Sequence, residues 1–347
     1  MTPLKLAPAA RRYQAMIGVG GIGSGMFFAL NGNQTLGREE SRSGRFLDRR
    51  DYCKLHIIAH YVQVLLSSQF VTIPIGRVGA DQVGRQLLTE MAETGMDMRY
   101  VRVSPDDPTL FSFCFIYPDG SGGNLTTDDS ACARLTADDV AEAEPEFARF
   151  RARGIALAAP EVPLAARRQL LELGSRYGLL RVASFAAQEL PAALESGMLH
   201  QVDLLALNLS EAAALAGVSA ESDDPGRLAA AAADRVHRLS PGLRLAVTAG
   251  RDGSWVWDGQ ELSCLPATPV QAVSTAGAGD AYLAGLLVGL TGQLSLTQAQ
   301  QLATLVAGLS VTSPHTIHKE IDRHTLRAFA RQTQYPLCAE IQAMLEE

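Results

Sequence analysis

A carboxylate follows a run of small residues at the start of an apolar, helix-forming segment. The run is Ser274-Thr275-Ala276-Gly277-Ala278-Gly279-Asp280, and the apolar segment continues from Ala281 to Leu290. The first backbone N–H groups of a helix have no partner within it and lie at the positive end of its dipole, so they bind anions. Small residues let an anion approach these groups. An acid beside them suits phosphoryl transfer to a hydroxyl, with Asp280 as general base and residues 277–279 as the anion hole.

Asp280 also has a purely structural interpretation. An Asp at a helix start caps free backbone N–H groups, which stabilises the helix by about 1 kcal/mol. The glycines that precede Asp280 distinguish the two interpretations, because a cap alone does not require small residues throughout the preceding turn. We therefore interpret Asp280 as a catalytic base.

Three more segments accompany this run. They are Gly76-Arg77-Val78-Gly79-Ala80-Asp81 with Gly84, Asp203-Leu-Leu-Ala-Leu-Asn208-Leu-Ser-Glu211, and Val247-Thr248-Ala249-Gly250-Arg251-Asp252-Gly253. Together with the run at 274–280, which is similar to the motif Asp-Thr-x-Gly-Ala-Gly-Asp, they resemble the ribokinase-like (phosphofructokinase B type) carbohydrate kinases. The resemblance covers roughly residues 70–320. It implies an ATP-dependent kinase that transfers the γ-phosphoryl group to a hydroxyl of a sugar, polyol or nucleoside, with Mg²⁺ as cofactor.

The resemblance also implies roles for residues that follow predicted strands. Asn208 and Glu211 match the family's Asn-x-x-Glu motif, which organises the magnesium ion and its waters; the same spacing is typical of a helix capping box. The nucleotide contacts fall to five residues: Thr248, Gly250, Gly253, Thr275 and His315. A plain β-turn remains the alternative for the loop at 248–253, and a surface or capping role is the alternative for His315.

The acceptor site is matched less completely. Glu161 resembles the substrate-facing Glu of many family members, and its alternative is a solvated carboxylate at a strand end. The family's Gly-Gly pair with a downstream Asn, which binds sugar hydroxyls, is not recognisable; residues 47–56 stand in its place, with Lys54 as a candidate substrate contact. Ser274 replaces the Asp that helps to bind a monovalent cation in relatives. The identity of the acceptor and the dependence on potassium therefore stay open.

Four arginines lie just before this region at spacings of three to four residues: Arg38, Arg42, Arg45 and Arg49. On a helix they would share one face, where guanidinium groups would suit an acceptor that carries phosphate or carboxylate. Acidic residues interleave with them and Gly44 interrupts the helix. A self-paired, solvated segment or a dimer contact is therefore the favoured interpretation.

The elements that must position these residues alternate regularly. Short apolar runs predict strands at 16–20, 70–75, 155–159, 179–183, 204–207 and 243–248. Helical periodicity predicts helices at 55–66, 86–94, 164–177, 210–216 and 228–239, with two more after Asp280. This alternation predicts one domain over residues 1–347, with a three-layer α/β/α fold around a mainly parallel sheet.

Two segments, approximately residues 24–50 and 108–130, break the alternation. The second contains Thr109–Tyr117, rich in aromatic residues, followed by Pro118-Asp-Gly120, and this pattern predicts a hairpin. The resemblance implies that both segments form a small β lid over the sugar site, which closes on substrate and excludes water. The lid is also the candidate surface for a homodimer.

A second class of function is supported by Gly18-Val-Gly20-Gly-Ile-Gly23. This run matches the Gly-x-Gly-x-x-Gly fingerprint of NAD(P)-dependent oxidoreductases, follows a predicted strand, and precedes Glu39 by about twenty residues. Glycines and asparagines between residues 25 and 37 interrupt the helix that should follow. A non-catalytic sugar- or nucleotide-binding protein on the same fold is a third interpretation, and the presence of Asp280 argues against it.

Composition narrows the class of protein further. The chain has 347 residues, of which 47% are hydrophobic, and a formal net charge of −7. This charge argues against nucleic acid as a partner, and no apolar run is long enough to span a membrane. Five cysteines without a Cys-x-x-Cys pair predict neither a disulfide framework nor a zinc site. We expect a cytoplasmic enzyme that acts on a small molecule.

Overall fold

A computed structural model describes residues 1–35, 37–119, 122–219 and 224–346. Its strands are β1 (Ala15–Val19), β2 (Gly23–Leu30), β3 (Gly44–Tyr52), β4 (Val71–Gly79), β5 (Tyr100–Ser104), β6 (Leu110–Ile116), β7 (Gly122–Thr126), β8 (Gly154–Ala158), β9 (Leu180–Ser184), β10 (Leu204–Asn208), β11 (Arg244–Thr248), β12 (Ser254–Trp257) and β13 (Leu262–Leu265). Its helices are α1 (Lys54–Leu66), α2 (Gln82–Glu93), α3 (Ala137–Ala141), α4 (Glu144–Arg149), α5 (Leu164–Arg176), α6 (Leu190–Glu195), α7 (Leu209–Ala216), α8 (Pro225–Leu239), α9 (Ala278–Thr291), α10 (Leu296–Ser310), α11 (Arg323–Thr333) and α12 (Ala339–Leu345).

Within the described residues, nine strands form a central sheet in the order β13-β12-β11-β10-β9-β8-β1-β4-β5. The strands from β11 to β5 in this order pair in parallel, and β12 and β13 add an antiparallel edge. Helices cover both faces, so the predicted three-layer α/β/α fold is confirmed. The parallel strands are joined by helices, which is the connection that parallel pairing requires.

The core lies in two layers, one on each face of the sheet. Alternate residues of β1 point to opposite faces, so Met16 belongs to the layer that contains α1, α9 and α10, whereas Ile17 belongs to the layer that contains α5 and α8. Both side chains are fully buried. Among the described helices, none combines the length and the apolar character needed to cross a membrane.

The sheet has a topological switch at β1. The chain passes from β1 to β4 and β5 on one side, and later from β8 outwards on the other. Open α/β sheets bind ligands in the crevice that such a switch leaves at the carboxyl ends of the strands. This edge of the sheet is therefore where the fold places a site. The chain also leaves the central sheet at this edge, between β1 and β2.

A second, smaller sheet has the order β3-β2-β6-β7. The outer pairs, β2 with β3 and β6 with β7, are antiparallel, and β2 pairs with β6 in parallel. The predicted small β lid is confirmed as this second sheet. The hairpin predicted near Pro118 joins β6 to β7; Gly120 and Ser121, like Leu36 in the other lid segment, lie outside the described residues.

The helical interpretation of the arginine series is wrong. Arg45 and Arg49 lie in β3, where side chains alternate between the two faces of the sheet, and Arg45 stands opposite Ala29 of β2. Arg42 forms an ion pair with Glu40 at 2.7 Å. The spacing of the arginines suggested a helix, but pairing with β2 holds this segment in an extended conformation. A series of charged residues gives no sign of such pairing.

The dinucleotide-binding interpretation of residues 18–23 is also wrong. β1 is followed after three residues by β2, so no helix N-terminus is present to bind a pyrophosphate. The glycines serve packing instead. A Cβ at Gly18 would lie 2.7 Å from Leu55 Cδ1, and a Cβ at Gly20 would lie 2.9 Å from Leu55 Cβ, so both glycines let α1 pack directly on β1.

Candidate active site

A cleft of about 880 Å³ opens at the carboxyl ends of β10 and β11, beside the start of α9. Most of the residues that the sequence predicted for a site line this cleft together: Lys54, Asn208, Glu211, Thr248, Gly250, Gly253, Thr275, Gly277, Ala278, Gly279 and Asp280. They come from segments up to 226 residues apart in the chain, between Lys54 and Asp280. The fold therefore brings together what the sequence holds in separate motifs.

Asp280 lies in the first turn of α9, which begins after Gly277. Gly277 has a positive φ of 77° and no side chain, so it starts the helix without capping its amides. The Ala278 N–H donates to the Thr275 carbonyl at 3.2 Å. The amides of Gly279 and Asp280 follow at positions where a helix provides no internal acceptor. These two amides are the ones best placed to bind an anion.

Lys54 and Asp280 form the charged centre of the cleft. The Nζ atom of Lys54 lies 4.0 Å from Oδ1 of Asp280, and the two side chains are 35% and 15% exposed. The neighbouring Asp280 carboxylate raises the pKa of Lys54. Burial raises the pKa of Asp280, and the Lys54 ammonium opposes this rise. A carboxyl group with a raised pKa is a stronger base, and so accepts a proton more readily, than an ordinary solvated Asp.

Glu161 lies beside this pair, just after β8. Its Oε2 atom accepts a hydrogen bond from the Lys54 N–H at 3.2 Å, and burial raises its pKa to about 7. Glu161 has a positive φ of 74°, which a residue with a side chain rarely adopts. A Cβ at Gly21 would lie 2.6 Å from the Glu161 Cβ, so only glycine at position 21 leaves room for this arrangement. Backbone strain of this kind is concentrated at functional sites.

Asn208 and Glu211 bind each other's backbones at the start of α7. Asn208 Oδ1 accepts from the Glu211 N–H at 2.9 Å, and Glu211 Oε2 accepts from the Asn208 N–H at 2.8 Å. This is the capping box that the sequence offered as the alternative. Both residues also line the cleft, and burial raises the pKa of Glu211. The cap and a ligand-binding role are compatible, because the second oxygen of the Glu211 carboxylate has no part in the capping box.

The loop after β11 faces the start of α9 across the cleft. Gly250 and Gly253 have positive φ values of 56° and 98°, so the loop turns where only glycine is comfortable. A Cβ at Gly279 would lie 3.6 Å from Thr248 Oγ1, with no closer atom. Thr248 and Gly279 thus approach each other across the cleft, so that a methyl group at position 279 would be in van der Waals contact with the Thr248 hydroxyl.

His315 lies apart from the other predicted residues. Its Nδ1 atom accepts a hydrogen bond from the Arg50 N–H of β3 at 3.0 Å, and His315 is not among the residues that line the cleft. The structure therefore does not place His315 among the residues predicted to contact the nucleotide, where an adenine-pocket position was expected. The next residue is bound to the same strand, because the Thr316 N–H donates to the Arg50 carbonyl at 3.2 Å. Together the two hydrogen bonds hold the His315 ring against β3.

Nothing in the sequence indicated a connection between the lid and the turn that precedes α9. The Tyr52 N–H of β3 donates to Thr316 Oγ1 at 2.9 Å. On the other side of Thr316, a Cβ at Gly277 would lie only 2.8 Å from the Thr316 carbonyl oxygen. Thr316 thus contacts both the lid and the start of α9. Its position beyond the motif, in a segment without periodicity, gave no signal in the sequence.

Asp51 is a second residue that the sequence did not single out. It lies on β3, is 7% exposed, and accepts hydrogen bonds from Ser112 Oγ at 2.9 Å and Cys114 Sγ at 3.4 Å. Burial raises its pKa, and its charge in turn raises the pKa of Asp280. A buried carboxylate on the lid thus acts electrostatically on the cleft. Because Asp51 lies in a segment rich in charged residues, nothing in the sequence distinguished it from its neighbours.

Comparisons with known proteins identify similar chains and similar structures. A model of the pfkB family of carbohydrate kinases matches residues 59–323. The chain is 24% identical over 266 residues to a ribokinase from Arabidopsis thaliana, covering 74% of this chain and 66% of that one. It is 29% identical over 257 residues to a fructokinase from Salmonella typhimurium, covering 69% and 79% of the two chains.

Among solved structures, a ribokinase from Cryptococcus neoformans var. grubii in complex with ADP superimposes with a TM-score of 0.75 and 20% sequence identity. The superposition covers 92% of this chain and 99% of that one. This likeness concerns the fold. The match to the Arabidopsis ribokinase, at 66%, covers just under two thirds of that protein's length.

Proposed function

Because the chain belongs to the pfkB family of carbohydrate kinases, we propose that it transfers the γ-phosphoryl group of ATP to a hydroxyl of a sugar, polyol or nucleoside. The observation that carries the proposal is the position of Asp280, in the first turn of α9, within one cleft that also contains Lys54 and the loop after β11. The ADP complex of the Cryptococcus ribokinase, which shares the fold, supports a nucleotide as the second ligand.

Asp280 is the proposed general base. It accepts the proton of the acceptor hydroxyl as that oxygen attacks the γ-phosphorus, and the bond from the γ-phosphorus to the β,γ-bridging oxygen breaks to release ADP. The amides of the turn at 277–279 and of Asp280 stabilise the negative charge on the transferring group. Burial supports this role, because it raises the pKa of Asp280 and keeps water from competing for the phosphoryl group.

Nucleotide and metal would be bound in the same cleft as Asp280. Thr248, Gly250, Gly253 and Thr275 line the part of the cleft proposed for the nucleotide. Mg²⁺ is usually bound by one or two carboxylates together with substrate phosphates and waters. Glu211 fits this donor set, since one of its oxygens lies outside the capping box, and Asn208 supports it. When bound, the metal would neutralise phosphate charge. Ser274 stands where relatives have the Asp that helps to bind a monovalent cation, so we assign no monovalent cation to the site.

The acceptor is proposed to lie between Lys54, Glu161 and Asp51. Each can hold a hydroxyl by a hydrogen bond, and burial or neighbouring charge alters the pKa of all three. Glu161 and Asp51 come from the sheet and from the lid respectively. An acceptor bound by both would therefore draw the lid onto the cleft, which would exclude water from the reaction.

We place these functions in one kinase domain over residues 1–347, with the lid segments at approximately 24–50 and 108–130. The outer face of the lid carries an exposed apolar patch that consists of Met26, Phe28, Phe46, Phe113 and Leu125. Phe46 is 57% exposed and Leu125 is 62% exposed, and the Phe28 and Phe46 rings pack edge to face at 5.1 Å. A patch of this kind on a lid supports a homodimer formed through it.

The proposal is tested by ADP release from ATP-magnesium with a panel of sugars, polyols and nucleosides. The expected result is one acceptor class that stimulates ADP release. Asp280→Asn should then reduce kcat by roughly 10²–10⁴-fold and leave ATP binding nearly unchanged. An Asp280→Asn enzyme as active as the parent would refute the assigned base. Ligand binding without turnover across the panel would instead favour a non-catalytic binding protein.

A further inference from the structure

A second cavity lies far from the cleft, where the N-terminal segment crosses the end of α1. It has a volume of about 470 Å³ and is lined by residues 3–7, Arg11 and residues 67–69. The Leu4 N–H donates to the carbonyl of Leu65 at 2.9 Å, which joins this segment to the last turn of the helix. Since α1 begins at Lys54 and rises 1.5 Å per residue, the cavity is about 20 Å from the cleft.

Arg11 gives this cavity its chemical character. The side chain is buried, with 9% of the residue exposed. Its Nη2 atom donates to the Leu6 carbonyl at 3.3 Å, while Nε and Nη1 are shielded from solvent and have no hydrogen-bond partner in the described part of the chain. No described carboxylate forms an ion pair with it. Burial accordingly lowers the pKa of Arg11.

A buried guanidinium without a counter-charge is costly. Buried charges in folded proteins are paired or bind an ion, because the lost hydration must be replaced. A guanidinium presents five N–H donors in a planar fork that matches phosphate oxygens. Only one hydrogen bond, from Nη2 to the Leu6 carbonyl, joins the Arg11 guanidinium to the described part of the protein. No carboxylate among the described residues supplies a counter-charge, so the arrangement of Arg11 suits the binding of an anionic ligand.

Four other lining residues, Lys5 and residues 67–69, fit the same ligand. Lys5 contributes a second positive charge, and Ser67, Ser68 and Gln69 contribute hydroxyl and amide donors at the open side of the cavity. A cavity of this size is within the range of sites that bind small molecules. We propose that this cavity is a second ligand site, which binds a small phosphate-bearing molecule through Arg11. The site is independent of the proposed kinase activity.

Hydrogen–deuterium exchange of the full chain tests this, with inorganic phosphate as the probe and sodium chloride at matched ionic strength as the control. Peptides that cover residues 3–11 and 65–70 should gain saturable protection with phosphate. Arg11→Gln, which keeps the size of the side chain and removes its charge, should weaken this protection at least tenfold. Arg12→Gln is the matched control, because Arg12 is exposed and does not line the cavity.

Peptides that cover residues 275–281 report phosphate binding in the cleft separately. Protection confined to those peptides, or equal protection in Arg11→Gln and the parent, would overturn the proposal. If Arg11→Gln does not fold, Ser68→Asp serves instead: Ser68 is exposed, and a carboxylate there should abolish phosphate protection, whereas Ser68→Ala should retain most of it. Protection that persists in Ser68→Asp would equally refute the site.

Discussion

The ammonium of Lys54, at the start of α1, lies 4.0 Å from the carboxylate of Asp280, at the start of α9. Among the described residues, no other ion pair joins the starts of these two helices. Two helices thus begin at one point of the cleft with opposite charges. Burial raises the pKa of the Asp280 carboxyl, and the Lys54 ammonium opposes this rise and so favours the ionised form. We therefore expect Lys54 to influence the pH at which Asp280, the proposed base, accepts a proton.

Replacing Lys54 by Met should shift the pH dependence of the reaction. Without the ammonium, burial and the Asp51 charge act unopposed on Asp280 and its pKa rises, so the acidic limb of the kcat/KM profile should move to higher pH. Lys319→Met is the control, since Lys319 pairs with Glu90 at 3.1 Å outside the cleft. An acidic limb at the same pH in Lys54→Met and the parent would exclude this coupling.

Two glycines at the start of α9 should respond oppositely to an added methyl group. Gly279→Ala places a Cβ 3.6 Å from Thr248 Oγ1, an ordinary contact, so stability should hardly change. The same methyl group would occupy the space proposed for phosphate. The KM for ATP should therefore rise at least tenfold, as measured by initial rates, while the thermal midpoint stays within a few degrees.

Gly277→Ala should instead lower stability. Position 277 has a positive φ of 77°, and the new Cβ would lie 2.8 Å from the Thr316 carbonyl oxygen. The strained backbone and the close contact together should cost about 1–3 kcal/mol in the free energy of unfolding, measured in denaturant. Comparable stability of the Gly277→Ala and Gly279→Ala proteins would show that the turn is not built as described.

Glu161 should make stability depend on pH. Its pKa is about 7 in the folded chain and 4.5 as an ordinary side chain, so the protonated form favours folding. This contribution is fully present below about pH 4.5 and is lost as the pH rises through about 7. The free energy of unfolding of the parent should thus fall relative to that of Glu161→Gln across this window. A constant difference between the two proteins from about pH 4 to about pH 8 would contradict the shift.

The apolar patch on the outer face of the lid should determine the oligomeric state. Leu125→Ser and Phe46→Ser remove apolar surface from two exposed positions, so a dimer formed there should dissociate at least tenfold more readily. Analytical ultracentrifugation at several concentrations measures the effect. Val103→Ser, at a 51% exposed position on the edge strand β5, is the matched control. Equal dissociation constants for all variants and the parent would place the interface elsewhere.

The sequence was most informative where chemistry is local. The start of α9 and the capping residues of α7 lie within runs of a few residues, so their types and spacing already specify the geometry. The fold class followed in the same way from apolar periodicity. Lys54 could be placed only through the resemblance, because its partner Asp280 lies 226 residues away and nothing in either segment points to the other.

Other features depend on pairing between distant segments. The arginines at 45 and 49 have helical spacing, yet β2 draws them into a strand. His315 was expected beside the nucleotide, but the backbone of Arg50 holds its ring against the lid. Asp51 became notable only once Ser112 and Cys114 of β6 were seen to bind it. Tertiary hydrogen bonds of this kind leave no periodic signal in a single chain.

The close approach of Gly21 to Glu161 has an evolutionary consequence. A methyl group at position 21 and the side chain of Glu161 would occupy the same volume, so the two positions cannot vary independently. Because a Cβ at position 21 would lie 2.6 Å from the Cβ of residue 161, only a lineage with glycine at position 161 would be free to accept alanine or serine at position 21. One that first acquired such a residue there would displace the Glu161 side chain, and with it the contact that we propose for the acceptor.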